Sequence, residues 1–174
     1  MPPRLAYRAR QFWNALPGSR KRVETSRLLP YLNPVQIVLF QRMKPSEQVH
    51  AFGMLERLQD SGHHDPNLLA AALLHDVGKI LSPLSLLDRV VIVLGHRLFP
   101  RCSRRWGDGR LNRLHRPFIV AAHHPDWGAD LAMRAEASTV AVELIRRHQQ
   151  PFPDNPDTDR DQLLAALQAA DEIN

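Results

Sequence analysis

An apolar run from Leu68 to Ile80 constrains the fold more than any other part of the chain. Its start is typical of a helix, because Asp65 can cap the first turn and Pro66 can occupy the first helical position. Small and branched apolar side chains then follow for about two turns. We expect Gly78 to end the helix, since glycine readily adopts the left-handed conformation common at helix ends. The run therefore predicts a short helix that is largely buried.

A histidine and a carboxylate, His75 and Asp76, lie just before the predicted end of this helix. An ionised carboxylate is unfavourable in apolar surroundings unless a cation meets it, and either Lys79 or a bound metal ion could be that cation. A second pair of the same kind, His64-Asp65, lies in a predicted loop and helix cap and needs no chemistry. The case for a site at His75-Asp76 therefore depends on polar residues elsewhere in the chain.

The rest of the chain also predicts helices. The spacing of apolar residues indicates helices over 4–16, 24–43, 46–60, 81–94, 110–124, 126–149 and 160–173. Prolines divide the second of these segments and separate the fifth from the sixth at Pro125. The stretches 99–109 and 151–159 predict irregular connections. No alternating run is long enough for a strand, so the sequence predicts an all-α, compact single-domain bundle of about seven or eight helices.

The same spacing predicts which side chains face the core. Two helices should bury the apolar residues Val35, Val38, Leu39 and Met43, and Val49, Phe52, Leu55 and Leu58. His148 continues the apolar face of its helix, three positions after Ile145. In the last helix Leu164, Leu167 and Asp171 share one face, so Asp171 is a second carboxylate whose burial requires an explanation.

Composition places the chain among globular proteins. It has 174 residues, of which 44% are hydrophobic and 24% charged, enough for one domain with a substantial core. The most apolar long segment, residues 84–99, is interrupted by charged residues and predicts no transmembrane helix. Cys102 is the single cysteine, which excludes an internal disulfide. Together with the lack of a secretory signal pattern, this predicts a cytoplasmic protein.

Charge is unevenly distributed along the chain. Residues 1–44 carry nine basic and one acidic side chain, residues 89–116 carry eight and one, and residues 117–174 carry four and ten. A basic front with an acidic tail favours an anionic partner or an anionic substrate. A solvated cationic surface accounts equally well for each basic segment taken alone.

Six polar residues lie at helix ends or on inward faces of five separate predicted helices. They are His50, His75, Asp76, His124, His148 and Asp171. Helices of a bundle can bring such distant residues together in its core. A set of histidines and carboxylates without cysteine suits a hard or borderline divalent metal: Mn, Fe, Co, Zn or Mg.

The order of these residues resembles the HD superfamily of metal-dependent phosphohydrolases. The motif of that superfamily is a histidine, then a His-Asp pair, then a distant aspartate, and His50, His75-Asp76 and Asp171 stand in that order. The segment 75–79, His-Asp-Val-Gly-Lys, is similar to the family's His-Asp-Ile-Gly-Lys form. The segment 168–172 resembles its closing Ala-Asp. The resemblance covers roughly residues 46–173.

A further segment resembles one branch of the superfamily. Residues 124–131, His-Pro-Asp-Trp-Gly-Ala-Asp-Leu, are similar to the His-Pro-x-x-Gly-Ala segment of HDIG and HD-GYP-like proteins, and residues 143–148 resemble the segment before their next ligand. His124 fits this pattern better than His123 because it has the right distance to Gly128. The Gly-Tyr-Pro motif is missing, and Gln149 stands where those branches commonly carry a second histidine.

The resemblance implies a metal-dependent phosphohydrolase that binds one or two divalent ions. One site would use His50, His75, Asp76 and Asp171, and a second would share Asp76 as a bridge with His124 and His148. The substrate it implies is a phosphorylated small molecule of the nucleotide type, cleaved as a phosphomonoester or a phosphodiester.

Catalytic and substrate-binding roles follow from the same resemblance. Asp76 would help to position the nucleophile, and Lys79 would hold a phosphoryl oxygen or protonate the leaving oxygen. Pairing of Lys79 with a nearby carboxylate is an equally good explanation of that residue. Arg146 and Arg147 flank His148 and are candidates for phosphate contacts, although a solvated surface pair is the simpler interpretation.

One alternative to an enzyme remains open. The chain could be a catalytically silent signalling or binding module with the HD fold that recognises an anionic ligand or partner.

The sequence also predicts a division into a basic N-terminal helical extension, residues 1–45, and an HD-type domain, residues 46–174. The basic segment 1–44 could make weak contacts with an anionic surface, either a membrane or a nucleic acid.

Overall fold

The computed structural model of the protein describes residues 23–109, 115–152 and 158–172. Within these ranges the chain forms eight α-helices and no strand, which confirms the predicted all-α fold. The helices are α1 (Pro34–Gln41), α2 (Pro45–Asp60), α3 (Pro66–Leu74), α4 (Leu86–Leu98), α5 (Pro100–Gly107), α6 (Arg116–Arg134), α7 (Thr139–Arg147) and α8 (Asp159–Glu172). None of them combines the length and apolarity needed to cross a bilayer.

Helix α3 is the centre of the bundle. Every residue from Leu68 to Leu74 is buried, and α2, α7 and α8 pack around them. The helix starts as predicted, because one carboxylate oxygen of Asp65 accepts hydrogen bonds from the backbone N–H groups of Asn67 (2.8 Å) and Leu68 (3.0 Å). Burial of an all-apolar helix supplies the main hydrophobic stabilisation, and it also places whatever follows α3 inside the molecule.

The role predicted for Gly78 is wrong. Helix α3 already ends at Leu74, and the chain continues through a right-handed turn into a short 3-10 helix, Val77–Leu81. The described glycine with a positive φ is Gly62, not Gly78. Gly78 is required for a different reason: a Cβ atom there would lie 2.0 Å from the carbonyl oxygen of His124 and 2.7 Å from the backbone nitrogen of Gly128. The glycine therefore permits close packing against α6.

The predicted helix break at Pro125 is also wrong, because α6 runs through this proline. Proline lacks an N–H, so the carbonyl of Ala121, four residues earlier, loses its usual helical partner. The imidazole Nδ1 of His124 lies 3.2 Å from that carbonyl oxygen and 2.9 Å from the carbonyl oxygen of Val120. The preceding histidine therefore satisfies the backbone that the proline leaves open, and the helix continues.

Three other boundaries differ from the prediction. Helix α4 begins at Leu86, where Ser85 caps it, rather than at residue 81. The stretch 99–109, expected to be irregular, contains α5 with Pro100 in its first turn. The long helix predicted over 126–149 is two helices, since the chain turns after Arg134 and Ser138 caps α7.

The predicted core faces are correct in part. Leu39, Met43, Phe52, Leu55 and Leu58 are buried as expected. The prediction is wrong for three valines, which are exposed: Val35 (53%), Val38 (61%) and Val49 (44%). On α1 the buried residues are instead Gln36, Ile37, Leu39 and Phe40, so the helix is rotated relative to the predicted face.

Residues before the predicted domain boundary also contribute to the core. Leu28, Leu32, Phe40 and Met43 belong to the same cluster of buried side chains as α3. The division into segments 1–45 and 46–174 stays a prediction. The helix predicted over 4–16 lies outside the described residues.

Candidate metal centre

The six polar residues selected from the sequence lie close together around the end of α3, where His75 and Asp76 follow the helix. His50 projects from α2, His124 from α6 and Asp171 from α8, whereas His75 and His148 are the residues that directly follow α3 and α7. Two sets of three have ligand atoms within 4.8 Å of one another. We call His50, His75 and Asp171 the open group, and Asp76, His124 and His148 the closed group.

The open group reaches solvent on one side. In this group the imidazole Nε2 of His50 lies 3.1 Å from Oδ1 of Asp171 and 3.3 Å from Nε2 of His75. The side chains of His50 and Asp171 are 16% and 29% exposed, whereas His75 is buried. The predicted burial of Asp171 is therefore incomplete, because its side chain contacts His50 but stays partly exposed.

All three members of the closed group are buried. Nε2 of His124 lies 3.3 Å from Oδ1 of Asp76 but outside hydrogen-bond geometry, and among the described residues neither it nor Nε2 of His148 has a hydrogen-bond partner. The other oxygen of Asp76, Oδ2, lies 3.5 Å from Nε2 of His75 in the open group. Asp76 therefore stands between the two groups.

Backbone carbonyls fix the orientation of the buried histidines. Nδ1 of His75 lies 2.9 Å from the carbonyl oxygen of Ala72, and Nδ1 of His148 lies 2.7 Å from that of Ile145. A carbonyl can only accept, so Nδ1 must carry the proton, as it must in His124 beside Pro125. The last carbonyls of α3 and α7 are available because helix ends leave them unpaired. In the neutral form of each ring, Nε2 therefore presents a lone pair to the site.

Electrostatics keeps these groups in the protonation states that suit metal ligands. Burial, and the nearby His75 and His124, lower the pKa of His148 to about 3, so its imidazole is neutral at pH 7. Burial also lowers the pKa of His124. For Asp76 burial opposes ionisation, but the charges of Lys79 and His75 outweigh it and hold the pKa of this carboxyl well below its usual range.

The open group is electrostatically different. Burial opposes the charged form of His75, yet Asp76 and Asp171 outweigh that effect and raise the pKa of this imidazole. Burial likewise opposes ionisation of Asp171, but the hydrogen bond from His50 and the charge of His75 lower its pKa to about 2. The polar atoms of the open group are therefore already satisfied by hydrogen bonds and ion pairs with one another.

Lys79 lies beside the site and is already paired. Its Nζ atom lies 2.6 Å from Oδ2 of Asp76, one turn of the 3-10 helix away. This contact is the pairing with a nearby carboxylate that the sequence offered as an equally good explanation of Lys79. A primary ammonium at this distance also leaves donor hydrogens for a second acceptor.

Two glycines hold the segment after α3 against α6. The nitrogen atom of Gly78 lies 3.2 Å from the position of a Cβ at Gly128, and a Cβ at Gly78 would overlap the His124 backbone. This contact sets the distance between Asp76, two residues before Gly78, and His124, one turn before Gly128. The spacing of four residues between His124 and Gly128 was visible in the sequence, but the partner at position 78 was not.

Two side chains that the sequence did not single out position the outer ligands. The guanidinium of Arg57 on α2 donates hydrogen bonds of 3.3 and 3.1 Å to the carbonyl oxygen of Ala170, next to Asp171. The amide of Gln168 donates to the carbonyl oxygen of His148 at 3.2 Å. Both bonds tie α8 to its neighbours, and both cross long stretches of sequence that no local pattern connects.

The two candidate arginines differ in their surroundings. Arg147 pairs with Glu143 at 2.9 Å and with Asp161 at 2.8 Å, and these hydrogen bonds raise the pKa of its guanidinium. Arg146 also pairs with two carboxylates, Asp130 at 2.9 Å and Asp126 at 3.5 Å, but it lines a cleft of about 890 Å³ as well. The cleft extends to members of both groups, His148 and Asp171. Its other polar or aromatic lining side chains include Arg104, Gln150, Phe152 and Gln168.

The residues present fit a divalent ion. Buried polar atoms without partners are rare in folded proteins, yet two imidazole nitrogens, Nε2 of His124 and Nε2 of His148, point at an ionised carboxylate. The nitrogen lone pairs and the negative carboxylate repel one another unless a cation lies between them. Histidine nitrogen and carboxylate oxygen together are ligands of Zn, Mn, Fe and Co.

The fold and the site thus define an all-α domain with a buried histidine–aspartate centre. A family model for the HD domain matches residues 49–173, and the chain belongs to the HD domain family. HD domains typically bind divalent metals, and members of the family are generally hydrolases. No curated protein and no solved structure matches the chain significantly.

Proposed function

We propose that the protein is a metal-dependent phosphohydrolase that cleaves a phosphomonoester or phosphodiester of a nucleotide-type substrate. The observation that carries this proposal is the position of Asp76, whose two oxygens face His124 at 3.3 Å and His75 at 3.5 Å. One carboxylate between two sets of histidines is suited to bridging two ions. This arrangement supports, at the level of the site, a binuclear centre like that of the HDIG and HD-GYP-like branch.

The chain's own residues would act as follows. Neutral His124 and His148 direct lone pairs inward, and ionised Asp76 balances positive charge and accepts a hydrogen bond from the attacking water. When bound, a divalent ion supplies Lewis-acid activation of water and of a phosphoryl oxygen. Lys79 brings an ammonium group to the same carboxylate, from which it can donate to a phosphoryl or leaving oxygen.

The cleft supports a substrate of nucleotide size. Its volume of about 890 Å³ lies within the usual range of small-molecule sites. Arg104 and Arg146 line it and offer guanidinium groups to phosphate oxygens, and Phe152 offers an apolar face to a base. Arg147 is the weaker candidate of the two adjacent arginines, because Arg146 belongs to the lining of the cleft and Arg147 does not.

Turnover tests the proposal. Purified protein supplied with Mn or Co should release phosphate, or open a phosphodiester, from at least one member of a nucleotide panel, and Asp76→Ala and His75→Ala should abolish this activity. The matched control is His64→Ala, which alters the exposed histidine of the chain's second His-Asp pair. Equal background rates for wild type and Asp76→Ala across the panel would remove the enzymatic interpretation.

A silent binding module is the second candidate function. It is favoured by the 2.6 Å contact of Lys79 with Asp76, which neutralises the carboxylate without any ion, and by Gln149 in place of a second histidine. In that case the protein would bind anionic nucleotides with a measurable dissociation constant and release no product. Calorimetry with the same panel distinguishes this outcome from turnover.

A further inference from the structure

Helix α4 carries a row of large apolar side chains on its outer surface. Leu87, Val91, Leu94 and Leu98 are spaced four, three and four residues apart, which puts them on one face of the helix, and all four are exposed. Leu87 is 78% exposed and Leu98 is 60% exposed. Phe99 extends the row into the turn before α5. A contiguous exposed patch of this kind marks an interaction surface more often than an accident of composition.

The outward orientation of this face is fixed by contacts on the other side of α4. Gly95 packs so tightly against Phe118 of α6 that a Cβ would lie 2.4 Å from its ring. Arg89 pairs with Glu47 at 3.0 Å, and Asp88 pairs with Arg116 at 3.3 Å. The helix therefore cannot rotate to bury the row, because its inner face is already in use.

Four arginines lie beside the row, in α4 and α5. Arg97 neighbours Leu98, and Arg101, Arg104 and Arg105 follow on α5; all four are exposed. Within the described ranges none of the four forms an ion pair, and no acidic residue stands between Arg97 and Arg105 in the sequence. The surface is thus apolar along its middle and positively charged at one end. We call it the α4–α5 face.

We propose that the α4–α5 face docks on an anionic lipid bilayer. Aliphatic and aromatic side chains on one face of a helix, flanked by arginines, are the combination that places a helix in the bilayer interface. The arginines other than Arg104, which lines the cleft, would contact lipid phosphates, while Leu94, Leu98 and Phe99 enter the acyl boundary.

The charge of the face argues against the other occupants. A symmetric pair of copies joined through this face would bring its positive ends close to one another or leave them unpaired, because the same patch meets itself. A nucleic acid would match the arginines but not the aliphatic row, since bases stack on aromatic rings and guanidinium planes. A bilayer with anionic headgroups matches both parts.

The test uses the full chain and vesicles of phosphatidylcholine with about one third phosphatidylglycerol. The protein should float with these vesicles, should not float with pure phosphatidylcholine, and should dissociate as salt rises from about 0.05 to about 0.5 M. The variant Arg97→Gln/Arg101→Gln/Arg105→Gln should lower the partition coefficient by roughly 100-fold. The variant Leu94→Ser/Leu98→Ser/Phe99→Ser should lower it by roughly 10-fold or more.

Matched controls alter the same residue types elsewhere. Arg42→Gln/Arg134→Gln removes exposed charge, and Leu29→Ser/Val38→Ser removes exposed apolar area, both away from the face. Each should bind vesicles within about two-fold of wild type. All altered residues are exposed, so the variants should keep the helical circular dichroism and melting temperature of wild type.

A fluorescent label reports insertion directly. In a Cys102→Ser background, an environment-sensitive dye on Leu98→Cys should shift to the blue with the anionic vesicles, and the same dye on Val38→Cys should not. The proposal fails if both triple variants bind vesicles like wild type, which would assign binding to another basic segment. It also fails if the apolar variant only converts a dimer to a monomer, or if the variants lose RNA binding but not vesicle binding.

Discussion

The open group and the closed group contain the same kinds of side chain but satisfy them differently. In the open group His50 and Asp171 pair at 3.1 Å and reach solvent. In the closed group two imidazole nitrogens are buried without a hydrogen-bond partner in the described part of the chain, against a carboxylate that Lys79 contacts at 2.6 Å. Burial raises the cost of an unsatisfied polar atom. The closed group therefore gains most from a cation, whereas the open group is suited to exchanging ligands with solvent.

The largest expected effect comes from the contact that brings Asp76 to His124. Gly78→Ala places a methyl group 2.0 Å from the His124 carbonyl oxygen, so the 3-10 helix and α6 must separate. We expect a loss of about 3 kcal/mol or more in the free energy of unfolding and loss of metal from the closed group. Urea unfolding and metal analysis measure both.

Gly53→Ala is the matched control for that substitution. A Cβ at Gly53 would meet only the flexible end of Arg57, at 3.3 Å, in the middle of α2. Alanine there should leave the protein unchanged or slightly more stable, by up to about 1 kcal/mol. Equal stability of the Gly78→Ala and Gly53→Ala variants would contradict the role given to the Gly78 contact.

The two groups should release metal at different rates. We expect a chelator to remove an ion from the open group quickly and an ion from the closed group roughly ten-fold more slowly, because only the first group reaches solvent. His148→Leu should remove the slow phase and keep the fast one, and His50→Ala should do the opposite. Stopped-flow release into a metal indicator separates the phases, and a single phase in wild type would erase the distinction.

Acid should destabilise the metal-free protein through His148. The pKa of this imidazole is about 3 in the folded state but about 6.5 when unfolded. Between these two values the unfolded chain binds a proton at His148 and the folded chain does not. Stability is therefore lost as pH falls below about 6.5, by roughly 2 kcal/mol between pH 7.5 and pH 5 from this residue.

Chelator-treated His148→Leu should be less sensitive to this pH change by that amount, as urea unfolding at both pH values would show. His64→Leu, an exposed substitution, should keep the wild-type dependence. If His148→Leu and wild type lose stability in parallel, the imidazole is not held neutral by burial.

The smallest effects are expected outside the two groups. Arg146→Gln should raise KM several-fold because Arg146 lines the cleft, whereas Arg147→Gln should leave KM unchanged and lower Tm by less than about 3 °C. Steady-state kinetics with the best substrate of the panel compares the pair. A larger KM effect for Arg147→Gln would restore it as a phosphate contact.

Local sequence determined much of the fold. Apolar spacing and the Asp65-Pro66 start identified α3 and its burial, and a helix end there had to place His75 and Asp76 inside the molecule. The errors occurred where local patterns are ambiguous. Arginine-rich α5 lacks apolar spacing, and Pro125 looks like a break until His124 supplies the missing backbone hydrogen bond.

The selection of six site residues also began in the sequence, but their arrangement did not. Only packing shows that His50 meets Asp171 and that His124 meets Asp76, because these contacts join residues far apart in the chain. The role of Gly78 belongs to the same category, since the backbone it approaches lies on α6. Residue type and spacing thus set which groups are able to bind a cation, and tertiary packing decided which of them face one another and which one stays in contact with water.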